Sequence, residues 1–189
     1  MMSHKKRQRS VILDLAVTLD GFVEGKNGEV DWCIMDSEMG FHNFLNQIDT
    51  ILYGRKSYDL WGEYTPEKNS GMEEEMWELI HSKEKYVFSR TQKGPETTAV
   101  YINENILEEV NKLKSKPGKD IWLYGGANLI TTFVNLGLVD EFRLSVHPIV
   151  LGEGKPLFVD IKKSFNLRLV NSRTYSSGVV QLIYHNDEM

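Results

Sequence analysis

Short unbroken apolar runs alternate along this chain with segments whose apolar residues recur at helical spacing. The run Val11–Ala16, rich in β-formers, predicts a buried strand. Phe41, Phe44, Leu45 and Ile48 then fall at i, i+3, i+4 and i+7, one face of a helix. Thr50–Tyr53 predicts a second strand, broken by Gly54 and followed by a short helix from about Lys56 to Trp61. After a polar excursion over Glu63–Gly71, Met72–His81 has the pattern of an acidic amphipathic helix with Met72, Met76, Leu79 and Ile80 inward. Strands at Lys85–Ser89 and Thr98–Tyr101 precede a helix marked by Ile106, Leu107, Val110 and Leu113, which Pro117-Gly118 closes. Asp120–Tyr124 leads into a helix carrying Leu129, Ile130, Phe133 and Val134, stopped at Gly137. The remainder is strand: Glu141–Pro148, then Phe165–Ser176 and Val179–Asn186 about a tight turn near Ser177-Gly178.

About eight strands alternating with helices, then a terminal hairpin, imply an α/β fold with a mixed, mostly parallel sheet, an antiparallel edge and flanking helices. Residues 1–10 are polar and basic and are expected to form a flexible N-terminal tail ahead of a single domain over 11–189. That length suits one sizeable core.

Composition narrows the partners. With 41% apolar and 26% charged residues the chain is an ordinary globular one, not an extended disordered one. The net charge of −5 argues against nucleic acid or an anionic membrane as the main partner. Cys33 is the single cysteine, so no internal disulfide forms, and no Cys/His cluster has zinc spacing. A reducing, cytoplasmic setting is the expectation, and no apolar run is long enough to span a membrane.

In sheets of this kind, ligands sit beyond the carboxyl ends of the parallel strands. Three strand ends share a chemistry. Tyr53-Gly54-Arg55-Lys56-Ser57 sets two cations and a hydroxyl at a helix start; Phe88-Ser89-Arg90-Thr91 sets a hydroxyl and a cation where a strand stops. In Tyr124-Gly125-Gly126-Ala127-Asn128 paired glycines open a helix, leaving backbone N–H groups uncovered and no Cβ to hold a ligand off. Each has a plain alternative: a tight glycine turn, or solvated loop cations. Together they suit an extended molecule with several phosphates, since arginine forks and helix N-termini both favour phosphate. A dinucleotide is the candidate. No Gly-x-Gly-x-x-Gly run and no Walker A pattern occurs, so the fold is neither of the usual nucleotide folds.

Leu138-Val139-Asp140-Glu141-Phe142, followed by His147-Pro148-Ile149-Val150-Leu151-Gly152-Glu153-Gly154-Lys155-Pro156-Leu157-Phe158, and Tyr-Gly-Gly-Ala upstream, strongly resemble the reductase domain at the C-terminal end of bifunctional riboflavin-biosynthesis proteins. Leu19-Asp20-Gly21-Phe22 and the Tyr53–Ser57 turn are similar to other landmarks of that family. The resemblance runs from about Val11 to His185 and implies a free-standing member with the three-layer fold of dihydrofolate reductase. It also implies NADPH along the strand ends. Gly54, Arg55, Lys56 and Ser57 would meet phosphates near the adenosine half, Ser89 and Arg90 the adenosine 2′-phosphate, and Gly125, Gly126, Ala127 and Asn128 the pyrophosphate. The Thr18–Glu24 loop would lie over the nicotinamide. Gly152 and Gly154 either shape the pocket wall or turn the chain.

The implied chemistry is hydride transfer to a C=N or C=O carbon of a small heterocyclic substrate, pterin-, folate- or pyrimidine-like, with a proton supplied to the neighbouring atom. Asp20, Asp36 and Glu38 are the candidate carboxylates. Asp36 is also placed to cap the helix that begins there, and Asp20 to form an Asp-Gly turn. His147 reads as structural, and Trp32 as the one tryptophan near enough to stack on a substrate. The alternative function is a dinucleotide- or ligand-binding module of the same fold with little catalysis. The hairpin of Phe165–Ser176 and Val179–Asn186 would leave an open edge, so a homodimer is expected.

Overall fold

The structure, a computed structural model, describes residues 7–66, 71–91 and 98–187. Its strands in chain order are β1 (Val11–Thr18), β2 (Phe22–Glu24), β3 (Ile48–Gly54), β4 (Glu84–Phe88), β5 (Val100–Ile102), β6 (Asp120–Gly125), β7 (Glu141–His147), β8 (Lys155–Pro156), β9 (Arg168–Thr174) and β10 (Val180–His185). The helices are α1 (Phe41–Gln47), α2 (Arg55–Trp61), α3 (Met72–His81), α4 (Ile106–Ser115) and α5 (Ala127–Asn135). Eight strands form one sheet in the order β5-β4-β3-β6-β1-β7-β10-β9, while β2 and β8 pair in a separate ribbon. From β5 to β7 all neighbours are parallel. The closing hairpin, β10 and β9, is antiparallel. This is the fold class that the alternation predicts.

Strand alternation builds two cores, one on each face. Val11, Leu13, Leu52, Ile121 and Leu123 turn to the side covered by α4 and α5, where they meet Val110, Leu113, Ile130 and Phe133. Ile12, Ile51, Tyr53, Val87 and Trp122 turn to the other side and meet Phe44, Leu45, Tyr58, Trp77 and Ile80 of α1, α2 and α3. Each fully buried side chain of this size contributes roughly 1.5–3 kcal/mol. Beyond α1 this second helical layer ends, and β7 and β10 carry Arg143, Ser145 and Gln181 on the same side.

Several local expectations shift. Ile48 opens β3 instead of closing α1, and it is fully buried there. Among the described side chains of α3, Trp77 and Ile80 are buried, and Met76 and Leu79 are half-buried and pack inward as expected, while the side chain of Met72 lies outside them. The excursion expected at Glu63–Gly71 lies partly outside the described residues. Residues 1–6 of the expected tail lie outside them as well, but the packed chain begins before Val11. Arg9 is 5% exposed and donates from its guanidinium to Asp49, to Thr50 Oγ1 (2.6 Å) and to the Lys119 carbonyl.

Candidate active site

Because β4, β3, β6 and β1 are consecutive and parallel, their carboxyl ends open on one edge of the sheet. There β3 stops at Gly54 and β6 at Gly125, with Tyr53 in register with Gly125. A Cβ on Gly54 would stand 3.4 Å from both the Gly125 carbonyl oxygen and the Gly126 nitrogen, and one on Gly126 would stand 3.0 Å from Ser57 Oγ. Gly125 has φ +112°, a backbone region that suits glycine. The missing side chains thus let α2, through Ser57, approach the start of α5.

That start is uncapped. Gly126 is the N-cap residue of α5, and among the described residues no side chain caps the first turn. The helix's own bonds begin with Leu129 and Ile130, whose N–H groups donate to the Gly126 carbonyl at 2.9 and 3.1 Å. The N–H groups of Ala127 and Asn128 precede them, at the positive end of the helix dipole. Uncapped donors with no Cβ above them fit an anionic oxygen, so the residues present suit a pyrophosphate.

The cations stand along the same edge. Arg55 is drawn back onto Asp59 at 2.6 Å, while Lys56 and Arg90 are exposed. Ser89 follows β4, its N–H donating to the Ile102 carbonyl (3.0 Å) and its carbonyl accepting from Asn103 Nδ2 (2.8 Å). Gly54, Ser57, Gly125, Gly126, Ala127 and Asn128 therefore converge, with Arg55, Lys56, Ser89 and Arg90 beside them.

The expected carboxylates have other work. Asp20 accepts from Thr18 Oγ1 (2.7 Å) and from the N–H groups of Leu151 (3.3 Å) and Gly152 (2.8 Å). The Thr18 hydroxyl above all, and these amides, hold its carboxyl below the ordinary range, which suits an ionised anchor and not a proton donor. Asp36 caps the 3₁₀ turn Ser37–Met39 by accepting the Glu38 N–H at 2.9 Å, and Glu38 itself is exposed. The Thr18–Glu24 loop is tied down further. Leu19 N–H donates to the Ile149 carbonyl and Leu157 N–H to the Gly21 carbonyl, both at 2.9 Å, and Lys155 pairs with Glu24. This explains Gly152 and Gly154. The first turns the chain at φ +78°, and a Cβ on the second would overlap the Glu24 carbonyl oxygen. His147 is buried, its Nδ1 2.9 Å from the Ser145 carbonyl and its ring edge-on to Trp32.

One carboxyl escapes the sequence reading. Asp14 lies within the otherwise apolar run Val11–Ala16, and alternation turns it to the same face as Ile12. It is half-buried and lines a cavity of about 100 Å³ with Phe41, Asn43, Arg143, Ser145 and Gln181. Among the described residues its carboxyl has no hydrogen-bond partner, while its backbone carbonyl accepts from Trp122 Nε1 at 3.0 Å. Burial pushes its pKa up to about 7, against the lowering effect of Arg143 and with a further raise from Glu141. A lone carboxylate at an inward position of a core strand is the signal that could have found it.

Residues 9–181 match the family described as the RibD C-terminal domain. Uncharacterized protein YyaP of Bacillus subtilis (strain 168) is 71% identical over 185 residues, 97% of this chain and 98% of that one. Among solved structures, a Shewanella sp. PV-4 protein provisionally named for riboflavin biosynthesis superposes with a TM-score of 0.77 at 22% identity, covering 95% of this chain and 99% of its own. Dihydrofolate reductase from Enterococcus faecalis, complexed with NADP(H), superposes at 0.67 and 13% identity, covering 96% and 98%.

Proposed function

The chain belongs to the RibD C-terminal domain family, and from that premise we propose that it is an NADPH-dependent reductase of a small heterocycle, pterin-, folate- or pyrimidine-like. The observation that carries this reading is the uncapped start of α5 behind Gly125-Gly126, at the centre of the strand edge and against Gly54 and Ser57. There Gly54, Ser57, Gly125, Gly126, Ala127 and Asn128 receive the phosphates of the dinucleotide. Arg55 and Lys56 lie beside them, and Ser89 and Arg90 meet the 2′-phosphate. The dihydrofolate reductase of Enterococcus faecalis, with the same fold, is complexed with NADP(H), which supports this choice of cofactor. Once bound, the reduced nicotinamide supplies a hydride to the carbon of a C=N or C=O bond. The chain's own part is to align the two carbons, exclude water and deliver a proton.

Calorimetric titration with NADPH and with NADH tests the reading. Binding that favours NADPH supports it and justifies following nicotinamide absorbance with dihydrofolate and pyrimidine substrates. Binding of neither dinucleotide overturns it. Binding without turnover of any such substrate would favour the second reading, a ligand-binding module. A homodimer belongs to the proposal: β9 is an edge strand exposed along its whole length, with Leu169 and Val170 51% and 46% exposed. Light scattering that returned only a 21.8 kDa species would count against the dimer.

A further inference from the structure

The reductase reading leaves its proton unassigned, because Asp20 and Asp36 bond backbone amides and Glu38 faces solvent. Resting on that reading, we propose that Asp14 is the proton donor, and that the cavity it lines takes a single-ring nitrogen heterocycle, gripped along one N–C–N edge.

The geometry begins with strand register. Asp14 of β1 pairs with Arg143 of β7, and Ala16 with Ser145, which in turn pairs with Gln181 of β10. All of these side chains fall on the face where α1 ends, so Asn43 of α1 closes the other wall and Phe41 supplies an apolar side. The cavity, about 100 Å³, suits one ring and is small beside the ~300–1,000 Å³ of sites for drug-sized ligands. Carboxamides and a hydroxyl surround a carboxyl that has no hydrogen-bond partner among the described residues. Such a lining reads alternating donors and acceptors on a flat ring edge. An unpaired carboxyl in a core strand costs stability, and a ligand that pairs with it removes the cost.

The charges around Asp14 fit the task. From β7 it faces Arg143 and Glu141, and His185 of β10 bonds Glu141 at 3.0 Å. From α1 come Phe41, Asn43, Phe44 and Gln47; from β6 comes Trp122, which donates to the Asp14 carbonyl; His147 lies farther along β7 with its Nδ1 at the Ser145 carbonyl. Arg143 is held in place by Glu141, by Gln47 Oε1 at 3.1 Å and by the Phe44 ring, 5.2 Å below its guanidinium carbon. At neutral pH burial keeps a substantial share of Asp14 as the acid. In the reaction the carboxyl O–H bond breaks and its proton joins the substrate nitrogen. The π pair of the C=N bond becomes the new N–H bond, while the carbon gains hydride from the reduced dinucleotide. The carboxylate left behind faces Arg143 and regains its proton from water.

The test reads binding and titration as well as turnover. Its probe is 2-aminopyrimidine, which stays neutral between pH 6 and 8 and pairs with a protonated carboxyl through its ring nitrogen and amino group. The Asp14 carboxyl, followed by carbon NMR in the free protein, is expected to titrate near pH 7. The probe should bind roughly tenfold more tightly at pH 6 than at pH 8, the change in the protonated fraction over that range. Asp14→Asn, whose amide offers the same donor and acceptor at every pH, should bind the probe with no such pH dependence. Asp14→Ala should lose it. A carboxyl that titrates in the ordinary range, or a pH dependence that survives in Asp14→Asn, overturns the proposal. NADPH titrations separate the two ideas. If wild type binds NADPH but shows no pH-dependent probe binding, Asp14 is not the donor and the reductase reading stands. If NADPH does not bind, it is the reductase reading that falls.

Discussion

Asp20 accepts the amide hydrogen of Gly152 at 2.8 Å, joining two loops that lie 132 residues apart in the chain. The same carboxylate accepts from Thr18, so one side chain sets both the exit of β1 and the turn that leads to β8. Its pKa is lowered in the folded state. A group of that kind contributes fully above its unfolded pKa and loses its contribution as pH falls through the folded value. The protection factors of the Leu151 and Gly152 amides, each rate taken relative to the intrinsic rate at the same pH, should therefore be high at neutral pH and fall below about pH 4, the ordinary carboxylate value. Asp20→Ala should show low protection factors at both; protection that persists in the variant would mean another contact holds the loops.

The linkage of Asp14 has the opposite sign. Its folded pKa is raised, to about 7, so its folded form is favoured below the unfolded pKa near 4 and loses that advantage as pH rises through 7. Asp14→Asn removes the buried charge. Urea unfolding should find the variant more stable than wild type at pH 8, by on the order of 3 kcal/mol, with the gap closing towards pH 4. Equal stabilities at pH 8 would show that the carboxylate is well solvated in the fold.

In the proposed NADPH reading, Arg90 is the residue that separates the two dinucleotides. It is exposed just beyond β4, on the edge where the proposal sets the 2′-phosphate. Arg90→Ala should weaken NADPH by roughly 1.5–3 kcal/mol, the scale of a charge-assisted hydrogen bond, and leave NADH almost untouched. Equal losses for both dinucleotides would move the 2′-phosphate elsewhere.

Tyr53 is fully buried, and its hydroxyl has no partner among the described residues. Its ring packs on Tyr58 and Tyr124, at 5.6 and 4.8 Å between centroids. Tyr53→Phe keeps that packing and removes the unpaired oxygen. The melting temperature should rise, with a gain of about 1 kcal/mol. A clear loss of stability would reveal a partner for the hydroxyl.

The fold and the glycine-lined strand edge were legible from the sequence because both rest on local patterns. Runs such as Ile121–Tyr124 and the spacing of Leu129, Ile130 and Phe133 show strand and helix directly, and Gly125-Gly126 marks the join. The wall opposite was not. Asp14 looks like one polar residue in an apolar strand until β7 sets Arg143 beside it, a pairing across more than a hundred residues. The role of Asp20 was hidden likewise, since the amides it holds belong to a loop whose path sequence does not give. Ile48 shows a third limit: it fits both the helix face before it and the strand it opens, and burial under Phe44 and Leu45 decides for the strand.

The central position of β1 also bears on synthesis. Its neighbours are β6 and β7, so the strand of this sheet that is translated before the others is the one whose pairing completes late. Until translation has passed His147, a sticky Val-Ile-Leu segment waits with one or both of its edges open. A nascent chain arrested between α4 and β7 should thus be prone to aggregate, and its solubility should improve sharply once the seventh strand has emerged.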